Sequence, residues 1–152
     1  MSDDQGKVLS SDEMVVTVEG QSVDWYLQSL VTTVNSTDVQ FGITLFVEGA
    51  IVSGLLVGGK RYFETFAEEF AAAFPGDAAG KEQIRRSFAS YAEIYTSEEG
   101  KDPPPPQFIH LIDSRCFSPG GQPLPGNRGV LWRGKINAVS GFSLGLLSEE
   151  GA

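Results

Sequence analysis

The spacing of hydrophobic positions changes several times along the chain, and each change marks an element. Trp25, Tyr26, Leu30, Val31 and Val34 recur every three or four residues. That period gives a helix one buried face, and Ser22 is a suitable N-cap, so a helix is predicted from about residue 22 to Asn35. The period then falls to two. Val39, Phe41, Ile43 and Leu45 alternate with polar or small residues, Glu48-Gly49 offers a turn, and Ala50–Val57 returns as a second apolar run. Two such runs about a tight glycine turn predict a β-hairpin. Gly42 and Gly54 fall inside the strands, where glycine marks a bend, a bulge or a close backbone approach.

Gly58-Gly59 ends this pattern and the helical period resumes. Phe63, Phe66, Phe70 and Phe74 form one stripe, stopped by Pro75-Gly76. A second helix is predicted over Lys81–Tyr95, with Ile84, Phe88, Tyr91 and Tyr95 on its apolar side. The two read as a helical hairpin. Its phenylalanine stripe must find cover within the chain or else become an association surface. Residues 97–106 form a linker ending in four prolines, read as a stiff spacer that returns the chain to the sheet. "QFIHLIDSRCF" is the third strand, and Ser118–Gly129 a Gly- and Pro-rich loop. "VLWRGKINAV" is the fourth strand, Ser140-Gly141 the turn, and "FSLGLLS" the fifth, so the last two strands read as a hairpin.

The predicted fold is α+β. It is a five-stranded, strongly bent antiparallel sheet or small β-barrel, with an N-terminal helix and a helical hairpin inserted between the second and third strands (residues 60–96). One domain spans residues 21–148. Residues 1–20 read as an acidic flexible tail in which Met14–Val18 could add a short strand, and residues 149–152 as a frayed end. A leading helix before five bent strands is also the layout of Sm-like small barrels, a likeness of element order alone.

Charge narrows the function classes. The chain of 152 residues carries a formal −9, which argues against broad binding to nucleic acid or to anionic membranes. From Asp102 to Ser148, however, Arg115, Arg128, Arg133 and Lys135 outweigh Asp102 and Asp113, so this part is net basic. The N-terminus lacks the apolar segment of a signal peptide, no run reaches the ~20 apolar residues of a membrane span, and a single cysteine fits a reducing cytoplasm.

The candidate chemistry is sparse. His110, Asp113 and Cys116 lie three apart, but period-two geometry turns His110 and Asp113 to opposite faces of a strand. One His and one Cys are too few for a metal site. His110 is therefore read as structural and Cys116 as buried or inert. The loop at Gly120-Gly121 has no phosphate-loop pattern and leads into a strand. No cofactor is expected. Arg133 and Lys135 share one side of the fourth strand, while Trp132, Gly134 and Ile136 share the other, so the apolar row is expected to face the core and the cations to face outward. Arg115 is expected to join that basic patch and Phe142 to flank it.

Three blocks carry a family resemblance. They are "VEGAIVSGLLVGGKRYFETF", "FIHLIDS" and "LWRGKINAVSGFSLG". In the third, Trp132, Arg133, Gly134, Lys135, Ile136, Val139, Gly141, Phe142, Leu144 and Gly145 all fit the pattern. From roughly Val23 to Ser148 the sequence resembles the gas vesicle accessory protein GvpU family. The resemblance implies a cytoplasmic, non-enzymatic protein associated with gas vesicles, which binds shell or accessory subunits and influences vesicle assembly or clustering. Arg115, Trp132, Arg133, Lys135 and Phe142 are the expected protein-binding residues. Complementary charge between the acidic tail and the basic C-terminal hairpin suggests homo-oligomers weakened by salt. The rival readings are an RNA-binding Sm-like barrel and a small-molecule-binding protein or enzyme that uses His110.

Overall fold

A computed structural model describes residues 8–96 and 98–148. Helix α1 (Ser11–Val18) opens the described chain. Its capping box is explicit: Ser10 Oγ accepts from the Glu13 N–H, and the Glu13 carboxylate accepts from the Ser10 N–H. The expected strand at Met14–Val18 is thus helical, because local capping outweighs a short β-branched run. Residues 1–7 and 149–152 of the expected tail and frayed end lie outside the described residues.

Helix α2 (Trp25–Ser36) starts two residues later than the Ser22 cap would set it, because Asp24 accepts from the N–H groups of Tyr26 and Leu27. Its buried face is Leu27, Val31 and Val34. Strands β1 (Phe41–Val47) and β2 (Ala50–Val57) form the expected hairpin, with Val47 paired to Ala50. Glu48 and Gly49 both take positive φ, at 50° and 85°, as a two-residue hairpin turn requires.

Helices α3 (Gly59–Ala73) and α4 (Ala78–Ala89) follow, and α4 continues into a 3-10 segment, Ser90–Tyr95. The phenylalanine stripe finds partial cover here: Phe63 and Phe66 are half-buried, while Phe70 and Phe74 remain 40% and 41% exposed. Phe66 and Phe70 pack on Phe88, and Phe63 packs on Tyr91 and Tyr95. The proline run then crosses α2, where the Gln28 amide donates to Pro106 O at 2.9 Å.

Strand β3 (Phe108–Phe117) pairs with β2, and beyond it lie β4 (Pro123–Leu124), β5 (Val130–Lys135) and β6 (Val139–Leu144). The sheet is antiparallel and open, with six strands where five were expected; the addition is the two-residue β4 against Cys116 and Phe117. β5 lies on the outer side of β3, and β6 lies on the outer side of β1 at the opposite edge.

The expected C-terminal hairpin is therefore absent. Ser140-Gly141 is not a turn but lies within β6, and the chain turns instead at the 3-10 segment Ile136–Ala138. Ile136 is fully buried at the start of this segment, and β5 ends just before it at Lys135. A consequence follows for shape. Four strand spacings across a flat sheet would separate β5 from β6 by ~19 Å. Three residues of 3-10 helix advance only ~6 Å. The sheet must curl strongly for Ile136–Ala138 to join its two edges.

One face of this bent sheet holds the core. Ile43, Leu45, Val52, Leu56, Ile109, Leu111 and Ile136 meet Leu27, Val31 and Val34 of α2, with Trp132 and Phe142 packed at the margin. Trp132 folds its ring over Gly134, so a methyl at that position would run into the ring tip. Gly134→Ala should cost about 1–2 kcal/mol in urea unfolding and change the tryptophan emission, since the ring must swing away. An unchanged spectrum and midpoint would count against this packing.

Candidate functional site

The cross-strand register builds the site on the face away from the core. His110 pairs with Arg133, and Phe108 with Lys135. Paired residues in an antiparallel ladder point to the same side. Phe108, His110, Arg133 and Lys135 therefore share that face. β2 continues it, because Val57 pairs with His110 and Ser53 with Arg115.

His110 is fully buried. Tyr62 and Phe63 of α3 and Tyr95 of the 3-10 segment surround it, with ring centroids at 4.8, 5.8 and 5.3 Å. Arg133 Nε donates to His110 Nε2 at 3.1 Å. Nε2 must then be unprotonated, which leaves the imidazole proton on Nδ1, an atom with no hydrogen-bond partner. Burial and the adjacent Arg133 charge lower the His110 pKa to about 3. Burial also raises the Tyr62 phenol above its ordinary value, against the opposing pull of Arg133.

This geometry makes a poor general base. The ring is neutral at physiological pH, one nitrogen is occupied by a fixed cation, and the other faces aromatic walls. The same geometry holds Arg133 in place. Its guanidinium lies 3.7 Å from the Phe108 ring centroid while its Nε is tied to His110. Arg133 is nevertheless exposed, as is Lys135. An outward cation has been fixed on the sheet.

The five residues expected to bind protein do not form one surface. Arg133 and Lys135 sit together at the β5 edge. Arg115, half-buried, lies on the same face but farther along β3, beyond a register shift between Leu111 and Ser114 where Asp113 takes φ 48°. Trp132 and Phe142 lie on the core face, on strands at opposite edges of the sheet. Phe142 is half-buried and stacks on Tyr26 at 6.1 Å, away from the basic group. Cys116 is exposed, not buried, although the register sets it opposite the buried Val52. Sequence reasoning also missed the exposed side of β6, although an uncharged run after Lys135 signals it.

Two of the open clefts among the described residues share Tyr95, which also walls His110. One of about 540 Å³ lies between the end of α2 and the start of α3, and mixes Asp38 and Glu64 with Lys60 and Arg61. The other, about 430 Å³, runs along Pro103–Pro106 beside Ile94 and Tyr95. Neither reaches the His110 ring. No cluster of metal-ligating side chains occurs among the described residues, and no helix there is long and apolar enough to cross a membrane.

The described residues thus form a bent antiparallel sheet that carries a fixed, exposed arginine. Residues 24–147 match the family described as gas vesicle protein GvpU-like. The chain belongs to that family. The match takes in α2, both β-hairpin strands, the helical pair, and all of β3 to β6. No curated protein and no solved structure matched the chain. Membership in the GvpU-like family makes this a gas vesicle accessory protein, associated with gas vesicles.

Proposed function

We propose that this GvpU-like protein is a non-enzymatic cytoplasmic factor that docks on gas vesicle shell or accessory subunits and influences vesicle assembly or clustering. The observation that carries the reading is the anchored arginine. Arg133 is ordered before any partner arrives, so docking on a carboxylate loses little side-chain entropy. Lys135 stands beside it and Arg115 extends the same face, on a molecule that is otherwise acidic. An acidic segment of a vesicle protein is the complementary partner.

Co-sedimentation with purified gas vesicles tests this. The native chain should pellet with vesicles and release as salt rises. Lys135→Glu combined with Arg115→Glu should weaken binding by at least about tenfold, while circular dichroism stays native. Equal pelleting of the double variant, or no pelleting of the native chain, would reject the docking face. The strand order, a leading helix and a 3-10 turn between the edge strands keep an Sm-like RNA-binding barrel as the rival. Low-salt filter binding to single-stranded RNA separates the two.

A further inference from the structure

The outer edge of β6 pairs with no other described strand, and the register shows what it can accept. β6 borders β1 alone among the described strands. The Gly145 N–H donates to Gly42 O at 2.9 Å, and Ile43, Thr44 and Leu45 pair with Leu144, Ser143 and Phe142. Residues of an antiparallel strand direct their backbone groups alternately to its two sides. Ser143 and Gly141 therefore turn toward β1, whereas the N–H and C=O of Phe142 and Leu144 turn outward. The side chains of those two residues lie on the core face with Ile43 and Leu45. Leu144 is 72% exposed, and Tyr26, stacked on Phe142, is 54% exposed.

Sheet edges are normally guarded by charge, proline or a covering element. From Ile136 to Ser148 there is no charged residue and no proline. The opposite edge differs. The Ile136 N–H donates to Gln107 O, so Trp132 and Gly134 also turn toward β3. The outward backbone groups of β5 then belong to Leu131, Arg133 and Lys135, and this edge carries two cations.

We propose that β6 pairs antiparallel with β6 of a second copy about a two-fold axis at Ser143. The strand is self-complementary in this register. Phe142 faces Leu144 of the second copy and Leu144 faces its Phe142, each pair exchanging outward backbone bonds. The core faces of the two sheets coincide, so Phe142, Leu144 and Tyr26 of both copies meet on one side and cover the exposed leucine. No charged residue lies within β6 itself. Antiparallel pairing of β6 with β5 of another copy fits less well. It would set the core face of one sheet against the outer face of the next and lay Leu144 beside a cation. The inference rests on the accessory-protein reading for its use: a two-fold dimer doubles the Arg133 face, and a bridge between vesicles needs two such faces.

The test uses purified protein without vesicles, so its failure and that of vesicle docking are read separately. In the Cys116→Ser background, Ser143→Cys places two thiols across the axis at a non-hydrogen-bonded pair, ~4.5 Å between Cα atoms and within disulfide reach. Mild oxidation should yield a covalent dimer. Ser140→Cys in the same background should not, because the register carries the two copies of that residue far apart. By sedimentation the native chain should be a dimer that persists in high salt. Leu144→Lys should weaken it by at least about tenfold with an unchanged circular dichroism spectrum, and Leu144→Met should leave it intact. A monomer at high micromolar concentration, equal cross-linking through Ser140→Cys, or an indifferent Leu144→Lys would overturn the proposal. So would an open-ended series of oligomers, which indicates β5-to-β6 pairing, or a dimer abolished by salt, which indicates tail-to-β5 attraction.

Discussion

Gly54→Val should destabilise the fold by about 3 kcal/mol or more, at the upper end of what overpacking costs. Gly54 lies in the middle of β2, opposite the place where β3 shifts register. A Cβ there would stand 2.7 Å from Ser114 Cβ and 2.8 Å from Ser114 Cα. The obstacle is backbone and a buried side chain, so no rotamer change relieves it. Asp113, at φ 48°, supplies the irregularity that lets β3 come this close. Ser114 gains from the approach, since its hydroxyl donates to Val130 O at 2.8 Å. Urea unfolding followed by circular dichroism measures the effect. A Gly54→Val midpoint within error of the native one would mean that the two strands do not meet here.

The second large effect is one of pH. The folded state holds His110 neutral down to about pH 3, whereas in the unfolded chain its pKa is near the ordinary 6.5. Above pH 6.5 both states are neutral and His110 brings no pH dependence. As pH falls below 6.5 only the unfolded chain takes up the proton, so stability is lost progressively until about pH 3. The loss is on the order of 1.4 kcal/mol per pH unit, or about 3 kcal/mol at pH 4. His110→Phe keeps a ring among Tyr62, Phe63 and Tyr95 and removes the titration. The stability difference between pH 7 and pH 4 should therefore shrink by about that amount in the variant, the carboxylates contributing to both chains alike. Parallel pH profiles, or an imidazole that titrates near 6.5 in the folded protein by nuclear magnetic resonance, would refute the burial.

The C-terminal third shows where periodicity stops being informative. The alternation of Trp132, Gly134 and Ile136 with Arg133 and Lys135 is a local property of one strand, and the structure keeps it. The assumption that Ser140-Gly141 turned the chain failed. A Ser-Gly pair is compatible with a turn or with a strand whose side chains are small, and nothing local chooses between them. The 3-10 turn at Ile136–Ala138 carries the last strand to the far edge of the sheet instead of leaving it beside β5. The faces of β3 beyond Ile112 escaped periodic reading for a related reason. A bulge at Asp113 resets the two-residue period, and an aspartate at positive φ leaves no periodic signal. Of the candidate site, Arg133 and His110 were each visible, but not that they touch.

The sequence by itself determined the α+β class, a helix ending near Asn35, the Glu48-Gly49 hairpin, the one-sided phenylalanine stripe and the family. These depend on residues close in the chain, where spacing and turn chemistry act directly. Only the tertiary structure decided that β5 and β6 occupy opposite edges, that His110 is sealed by three aromatic rings, and that Arg133 is pinned across the strands. Those contacts join residues more than a dozen positions apart. Their free energy comes from desolvation and register, which exist only once the sheet has formed and curled.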